Sequence, residues 1–169
     1  LNNKIKHTST KILDTRKTTP GIRFLEKEAV TIGGGKNHRM GLYDMIMIKD
    51  NHVDFSGGIS IAIDKANEYI KNNKLDIKIE VEVRDFEELD VVLNKGNVHR
   101  IMLDNFSVSD LKEAVKKINK QYETEASGGI NEKTIVNYAE TGVDFISVGA
   151  LTHTVKNFDI SLIAKPHEQ

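Results

Sequence analysis

The sequence predicts an α/β fold in which a parallel sheet carries helices on its outside, and three observations support this class. Short apolar segments suited to buried strands recur along the chain, and stretches with helical spacing of apolar residues lie between them. Polar residues gather just after the predicted strands, where the active sites of parallel α/β folds form. A (β/α) TIM-like barrel explains this pattern better than an open sheet, because every strand then contributes its carboxyl end to one rim.

Six segments are predicted as strands and four as helices. The strands cover residues 11–13, 45–48, 77–83, 100–103, 124–126 and 145–148. The helices cover residues 59–70, 86–93, 111–118 and 132–139, the last with Asn131 as its N-cap. A complete barrel has eight strands in about 250 residues, so we expect residues 1–169 to form one incomplete barrel domain, the C-terminal portion of a longer enzyme.

The composition excludes several classes of protein. The chain has 169 residues, of which 38% are hydrophobic and 29% charged, as expected of one globular domain with a core. Its formal net charge of -1 gives no overall basic field that would recruit nucleic acid. No apolar run approaches the roughly 20 residues that span a bilayer, so no membrane partner is expected. The absence of cysteine excludes disulfides and thiolate chemistry and fits a cytoplasmic location.

Basic residues concentrate between residues 11 and 52. This stretch has eight Lys or Arg against five Asp or Glu, a local charge of +3. One group lies in residues 14–23, directly after a predicted strand, and the other follows three glycines in residues 33–42. Guanidinium and ammonium groups bind carboxylates and phosphates, so the two segments predict an anionic small-molecule ligand. A solvated basic loop is the alternative.

Two glutamates are predicted to point into the barrel. In the strand 77–83, the two-residue period puts Glu80 and Glu82 on one face and the apolar residues on the other, which meets the helices. Buried carboxylates are costly unless they meet cations, a metal or ligand hydroxyls. Asp104, at the end of the next strand, could join them in holding sugar hydroxyls or Mg²⁺. An edge strand with solvated glutamates is the alternative.

Two short glycine segments close the last two predicted strands. Backbone N–H groups in such segments form the kind of phosphate site that barrels often place after their final strands. The residues are Ser127, Gly128, Gly129, Val148, Gly149 and Ala150. We therefore expect a phosphate group at this side of the rim.

Taken together, these segments resemble the signature of quinolinate phosphoribosyltransferase, also called carboxylating nicotinate-nucleotide pyrophosphorylase. The match runs in order, with nearly the expected spacing, from about Ile12 to Leu162. It comprises Asp14-Thr15-Arg16-Lys17-Thr18-Thr19-Pro20-Gly21, Gly33-Gly34-Gly35 with His38-Arg39, Ile48-Lys49-Asp50-Asn51-His52, Glu80-Val81-Glu82, Met102-Leu103-Asp104-Asn105, Glu125-Ala126-Ser127-Gly128-Gly129-Ile130, Gly142-Val143-Asp144 and Ser147-Val148-Gly149-Ala150-Leu151-Thr152-His153.

The resemblance implies a barrel of fewer than eight strands, preceded by an N-terminal sandwich domain that is absent from these residues, in a homodimer or higher homo-oligomer. The family transfers phosphoribosyl from phosphoribosyl pyrophosphate to quinolinate with Mg²⁺. The products are nicotinate mononucleotide, CO2 and pyrophosphate, in de novo NAD synthesis. The N-terminal part of one subunit would supply a further basic residue to the partner's site.

By motif position, the resemblance also implies roles for single residues. Substrate would be bound by Thr15, Arg16, Lys17, His38, Arg39 and Lys49, most of them lining the quinolinate carboxylates. Glu82 and Asp104 would hold ribose hydroxyls and, through pyrophosphate, the Mg²⁺; with Lys17 they form the predicted catalytic set. The backbone amides of the two glycine segments would bind the 5-phosphate.

Two other functions remain open at this point. The molybdenum-transport-associated homologue of this family shares much of the barrel signature, so these motifs do not separate it from the enzyme. A non-catalytic phosphate-binding barrel, or a regulatory fragment, belongs to a different class. Arg16, Arg39, Lys49, Glu82 and Asp104 together argue against a pure binder, which has no need of the inward acids.

Overall fold

The computed structural model describes residues 1–155 and 159–164. The strands are β1 (Lys11–Leu13), β2 (Met45–Ile48), β3 (Lys78–Val83), β4 (Arg100–Asp104), β5 (Glu123–Ser127) and β6 (Phe145–Ser147). The helices of this part are α1 (Asn2–Ile5), α2 (Arg23–Ile32), α3 (Asp50–Ser56), α4 (Ile59–Asn73), α5 (Phe86–Lys95), α6 (Val108–Ile118), α7 (Ile135–Ala139) and α8 (Ala150–His153). Within these residues, no helix is long and apolar enough to cross a membrane.

The strands form one parallel sheet in the order β1-β6-β5-β4-β3-β2, so β1 and β2 are its two edges. The segment after α2 lies between these edges. Lys36 N–H donates to the Ile12 carbonyl at 2.8 Å, and Asp14 N–H donates to the Lys36 carbonyl at 3.2 Å. On the other side, the Arg39 guanidinium donates to the Met45 carbonyl of β2 at 3.2 Å. The predicted incomplete (β/α) barrel of about six strands is confirmed, with this segment filling part of its open side.

The two faces of the sheet differ in polarity. The face toward the helices is aliphatic and fully buried, as in the case of Ile79, Val81 and Val83 of β3. The interior face carries charged and polar residues at alternating positions, among them Glu80, Arg100 and Glu125. The sequence of β3 therefore alternates between apolar and charged residues although the sheet is parallel and covered by helices, whereas β2 is apolar on both faces. The helix-facing layer provides the core, and the polar interior is left for the site.

Every predicted strand is present with ends within one residue of the prediction. Helices α4, α5 and α6 include the three predicted helical segments, whereas α1, α2, α3 and α8 were not predicted. The predicted helix over 132–139 is wrong at its start. Asn131 accepts the Lys133 N–H at 2.9 Å and closes a turn, so the helix begins at Ile135.

Candidate active site

The carboxyl ends of the strands meet on one rim, and each carries predicted site residues: Arg16 after β1, Lys49 after β2, Glu82 in β3, Asp104 in β4, Ser127 in β5 and Gly149 after β6. These residues line two adjoining cavities instead of a single one. The cavities share Thr15, Lys17, Lys49, Ser127 and Ser147. We call the first the basic cavity, lined also by Arg16, His38, Arg39, Met47, Met102 and Glu125. We call the second the glycine cavity, lined also by Glu82, Asp104, Asn105, Gly128, Gly129, Ile130, Gly149, Ala150 and His153.

Two guanidinium groups give the basic cavity its charge. Burial lowers the pKa of Arg39, and the positive charge of nearby Arg16 lowers it further. Arg16 Nε is buried without a hydrogen-bond partner, and neither arginine forms an ion pair within residues 1–155 and 159–164. The cavity, of about 290 Å³, therefore holds positive charge that an anionic ligand would neutralise.

The Arg39 side chain is held by its neighbours on β2. Its Nη1 donates to the Met45 carbonyl, and its Nη2 lies 3.7 Å from Met47 Sδ. The backbone N–H of Arg39 donates to Nδ1 of His38 at 2.7 Å. A guanidinium has five N–H donors, so these contacts orient the group and leave donors for a ligand.

The glycine cavity, of about 550 Å³, is bordered by backbone N–H groups. Those of Gly128, Gly129 and Gly149 donate to no protein acceptor in the described part of the chain. Gly128 has φ +98°, and a Cβ there would overlap Asn105 Oδ1 and would lie 2.9 Å from Asn105 N. Only glycine fits this position. Unpaired N–H groups at such a turn suit the oxygens of a phosphate.

One member of the predicted phosphate-binding set is corrected by the structure. Val148 is buried, and its backbone N–H donates to the Leu13 carbonyl of β1 at 3.0 Å. This N–H belongs to the pairing of β6 with β1 and is not free for a ligand. Ser127, Gly128, Gly129, Gly149 and Ala150 remain on the cavity wall.

An ion pair stands where the two cavities meet. Lys49 Nζ lies 2.7 Å from Glu82 Oε2, and the lysine borders both cavities. Asp104 accepts a hydrogen bond from the Asn105 side chain at 2.6 Å. Both carboxylates of the predicted catalytic set thus face the glycine cavity, each with one oxygen engaged. Their remaining oxygens are available to hydroxyls or to a hard cation.

Below the basic cavity lies a buried cluster of ionisable groups. His38 Nε2 is 2.9 Å from Glu80 Oε2 and 3.3 Å from Glu125 Oε2. Arg100 Nη1 donates to Glu125 at 3.0 Å, and its other nitrogens reach Glu123. The interior acid predicted at Glu80 is therefore matched by cations, which is the condition under which a buried carboxylate is tolerated. An edge position for this strand is excluded, because β3 lies between β2 and β4.

Proximity shifts the protonation of these groups. Burial and the charge of Glu125 raise the pKa of Glu80 to about 7. Burial opposes the charge of His38, but the two carboxylates outweigh it and raise the pKa of His38 to about 9. The Arg39 N–H bond at Nδ1 describes the neutral ring with its proton on Nε2, so uptake of a second proton would displace that bond.

The same three groups, His38, Glu80 and Glu125, are close enough together to be considered as metal ligands. A metal on Nε2 would need the lone pair of that nitrogen, and the other ring nitrogen would then carry the proton. Nδ1 instead accepts the Arg39 N–H, and Glu125 already pairs with Arg100. The contacts of Nδ1 and of Glu125 therefore favour a cluster in which His38 and the two glutamates share protons.

Some residues that line the two cavities are not predicted from the sequence. Asn105 and His153 line the glycine cavity, and Met47, Met102 and Glu125 line the basic cavity. All of these except Met47 lie within the quoted motifs, but no binding role is predicted for them. Met47, Met102 and Glu125 lie two residues before Lys49, Asp104 and Ser127 on their strands, and this two-residue period is a signal that could have found them.

The fold and the site define a class of protein, the α/β barrels that have a cation-lined cavity at the carboxyl ends of their strands. Comparison with known proteins gives the particular family. Residues 1–163 match the family described as quinolinate phosphoribosyl transferase, C-terminal domain. The chain belongs to this family.

Relatives in plants and bacteria agree with the match. The chain is 52% identical over 165 residues to quinolinate phosphoribosyltransferase [decarboxylating] 2b, mitochondrial, of Nicotiana tabacum, covering 89% of this chain and 47% of the relative. It is 47% identical to the probable nicotinate-nucleotide pyrophosphorylase of Bacillus subtilis, covering 90% and 51%. The solved nicotinate-nucleotide pyrophosphorylase of Francisella tularensis is 44% identical with a TM-score of 0.86, covering 92% and 54%. The chain thus spans about half the length of these relatives.

Proposed function

We propose that this chain is the C-terminal, catalytic portion of a longer quinolinate phosphoribosyltransferase, which makes nicotinate mononucleotide, CO2 and pyrophosphate. The observation that carries the proposal is the pair of adjoining cavities on one rim. One has unpaired guanidinium groups, and the other has unpaired glycine N–H groups beside two carboxylates. Two anionic substrates of different shape need two such compartments in contact. The names of the relatives point the same way.

The basic cavity suits quinolinate. Arg16, Lys17, Arg39 and Lys49 can meet two adjacent carboxylates, and Met47 and Met102 offer apolar surface for an aromatic ring. Its volume of about 290 Å³ is near the lower end of the range for small-molecule sites. Thr15 borders this cavity as well. The Nδ1 atom of His38 accepts the Arg39 N–H, and its Nε2 lies 2.9 Å from Glu80 Oε2, so we assign it the role of supporting the cavity.

The glycine cavity suits phosphoribosyl pyrophosphate. Residues 127–129 and 149–150 would bind the 5-phosphate through backbone N–H groups. Glu82 and Asp104 each have a carboxylate oxygen available for ribose hydroxyls and for Mg²⁺. This cation prefers oxygen ligands and is commonly coordinated by substrate phosphates. When bound, the ion would neutralise charge on the pyrophosphate. Asp104 and Glu82 would hold it indirectly, through that leaving group.

The meeting point of the cavities sets the chemistry. The cations of the basic cavity would turn the pyridine nitrogen toward the anomeric carbon, which converts the transfer into a reaction between positioned partners. Positive charge develops on the ribose as pyrophosphate leaves, and the Glu82 carboxylate would stabilise it. Lys17 and Lys49, which border both cavities, would stabilise the negative charge of carboxylates and phosphates.

A homodimer or higher oligomer is part of the proposal. Helix α2 exposes Phe24, Leu25 and Ile32 to 67%, 60% and 81%, and a cluster of this kind marks an interaction surface. An N-terminal sandwich domain contributing to the partner's site would suit this surface. A cytoplasmic location also belongs to the proposal; some plant relatives carry mitochondrial or chloroplastic names.

The test is a turnover assay on the complete protein that contains this chain. Pyrophosphate release that requires both quinolinate and Mg²⁺, with nicotinate mononucleotide as product, is the expected result. Glu82→Gln should reduce turnover far more than quinolinate affinity, because the charge is needed as the ribose cation forms. Binding of phosphate without turnover would favour a non-catalytic barrel. Turnover of phosphoribosyl pyrophosphate with another acceptor but not quinolinate would favour the molybdenum-transport-associated homologue.

A further inference from the structure

A lysine without access to solvent lies at the centre of α2. Lys27 and Asp14 are both fully buried, and the lysine ammonium pairs directly with the Asp14 carboxylate. A lysine is almost never fully buried unless paired. The apolar residues Phe24, Leu25 and Ile32 of the same helix face outward instead. The helix therefore directs its cation inward, where an aliphatic side chain would be expected.

Asp14 collects donors from two other parts of the chain. Besides Lys27, its Oδ1 accepts the backbone N–H of His38 at 2.8 Å. With its amide nitrogen turned toward them, Asn37 donates to Asp14 Oδ2 at 2.7 Å and to the Lys27 carbonyl at 2.8 Å. An ionised carboxylate has acceptor sites on both oxygens and can receive all three donors. The end of β1, the middle of α2 and residues 37–38 thus meet at one carboxylate.

The two chain segments that meet at Asp14 both continue into the lining of the basic cavity. Asp14 is followed by Thr15, Arg16 and Lys17, and Asn37 is followed by His38 and Arg39. Residues 36–39 also fill the open side of the sheet between β1 and β2. Two other contacts join the basic segments. One is the strand-like pairing at Lys36, and the other is Arg23, whose guanidinium donates to the Arg16 carbonyl at 3.1 Å and to the Met40 carbonyl at 3.2 Å. Asp14 is the fully buried link among the three.

We propose that Lys27 is a positioning residue: through Asp14 it fixes the separation of the Arg16 and Arg39 segments, and thereby sets the affinity of the basic cavity for a vicinal dicarboxylate. This inference rests on the proposed function for the identity of the ligand. The Lys27 side chain lines neither the basic cavity nor the glycine cavity, so the effect of its charge passes through Asp14. Burial raises the pKa of Asp14, and Lys27 opposes that effect, which keeps the carboxylate able to accept both loop donors.

The test compares three variants of the complete protein. Lys27→Met keeps the length of the side chain and removes its charge. Lys27→Met with Asp14→Asn removes both charges, so no unpaired buried ion opposes folding. Thr10→Val is the control, because Thr10 is also buried and its hydroxyl donates to the Val143 carbonyl at 2.7 Å, away from the cavities.

Calorimetric titration uses benzene-1,2-dicarboxylate as the probe, since it has the two carboxylates but no ring nitrogen to be ribosylated. We expect the affinity for this probe to fall by about tenfold or more in both Lys27 variants, while Thr10→Val loses stability and binds as wild type does. In turnover, the KM for quinolinate should rise with kcat nearly unchanged, and the affinity for phosphoribosyl pyrophosphate should change little.

Two outcomes overturn the inference. Wild-type affinity for the probe in the doubly neutral variant would show that the charges do not set the separation. An equal loss of affinity for both substrates would show a general structural effect. A wild-type protein that binds the probe but does not turn over quinolinate contradicts the proposed function instead, and the probe titration of the variants still decides the role of Lys27.

Discussion

The Arg39 side chain is oriented by its neighbours and still has N–H donors available for a ligand. Two of its terminal nitrogens contact Met45 and Met47, and the ring of His38 accepts its backbone N–H. The neighbouring Arg16 repels it, and no acid pairs with it within the described residues. The positive charges of Arg16 and Arg39 repel each other, and a bound dianion would offset this repulsion. Specific affinity for a dicarboxylate should therefore depend strongly on this residue.

Arg39→Ala is expected to weaken quinolinate binding much more than binding of phosphoribosyl pyrophosphate. The loss should be about 1.5–3 kcal/mol, the range for hydrogen bonds to charged groups. Calorimetric titration of the complete protein measures both affinities. Lys95→Ala is a suitable control, since Lys95 pairs with Asp64 on the outside of the barrel. Unchanged quinolinate affinity in Arg39→Ala would remove this arginine from the binding site.

The His38 cluster makes stability depend on pH. The folded-state pKa of His38 is raised from 6.5 to about 9, so the folded protein binds the proton more tightly than the unfolded chain. The resulting stabilisation is fully present below pH 6.5 and is lost as the pH rises to 9, a change of about 3 kcal/mol. Glu80, with its pKa raised to about 7, acts in the same direction at lower pH.

Urea unfolding at several pH values between 6 and 9.5 checks this expectation, with the linear extrapolation giving the free energy of unfolding. His38→Gln should flatten the curve over this range, because glutamine does not titrate. A wild-type curve that is already flat, or that rises with pH, would contradict the raised pKa. Glu123, which also joins this network through Arg100 but is more exposed, should be replaceable by Gln with a smaller effect.

Residue-scale prediction from sequence succeeds where strand parity is applied and fails where it is not. The alternation in β3 identifies Glu80 and Glu82 as interior residues. The same alternation in β4 and β5 puts Arg100 and Glu125 on the interior face, and the register pairs Glu80 with Arg100. The pairing of His38 with two acids has no local signal, because it joins a loop to strands more than 40 residues away.

At the scale of elements, periodicity predicts the helices that cover the sheet but not those that border the site. Helices α4, α5 and α6 bury an aliphatic stripe, whereas α2 buries Lys27 and exposes its aromatic and aliphatic residues. An inverted pattern of this kind conceals a helix from arguments that assume an apolar inner face. Asp50–Ser56 is short, and its start depends on capping by His52, which accepts the Lys49 N–H at 3.0 Å.

The turn after β5 allows a sharp test of the glycine cavity. Gly128→Ala adds a methyl group against Asn105 at a positive φ, so the turn must shift. We expect affinity for phosphoribosyl pyrophosphate to fall by about tenfold or more while quinolinate affinity is nearly kept. Gly57→Ala is the matched control, because Gly57 also has a positive φ, +89°, but lies at the end of α3 with more room for a Cβ. Equal effects of the two changes on substrate affinity would mean that backbone strain alone is responsible.

For the whole molecule, the interior face of the sheet carries charge where other barrels carry aliphatic layers. These buried charges are neutralised by ion pairs such as that of Arg100 with Glu125. The sequence predicts the number of strands, since each is apolar on its helix-facing side. It does not predict how the open side is filled. Residues 36–39 have no strand-like pattern and contact β1 only through the two backbone hydrogen bonds of Lys36 and one isolated bridge among the described residues.

The exposed face of α2 leads to the last prediction, which concerns assembly. This face is an exposed apolar surface formed by Phe24, Leu25 and Ile32, whose exposure to water is unfavourable. The opposite face of α2 carries the buried Lys27. An oligomer interface on this helix would therefore stabilise the proposed site. Phe24→Asp combined with Leu25→Asp should convert the proposed dimer of the complete protein to a monomer in analytical ultracentrifugation and should reduce turnover. Tyr69→Asp, a change on the exposed side of α4, is expected to leave the sedimentation coefficient unchanged. A doubly substituted α2 variant that remains dimeric and fully active would show that this face serves another contact.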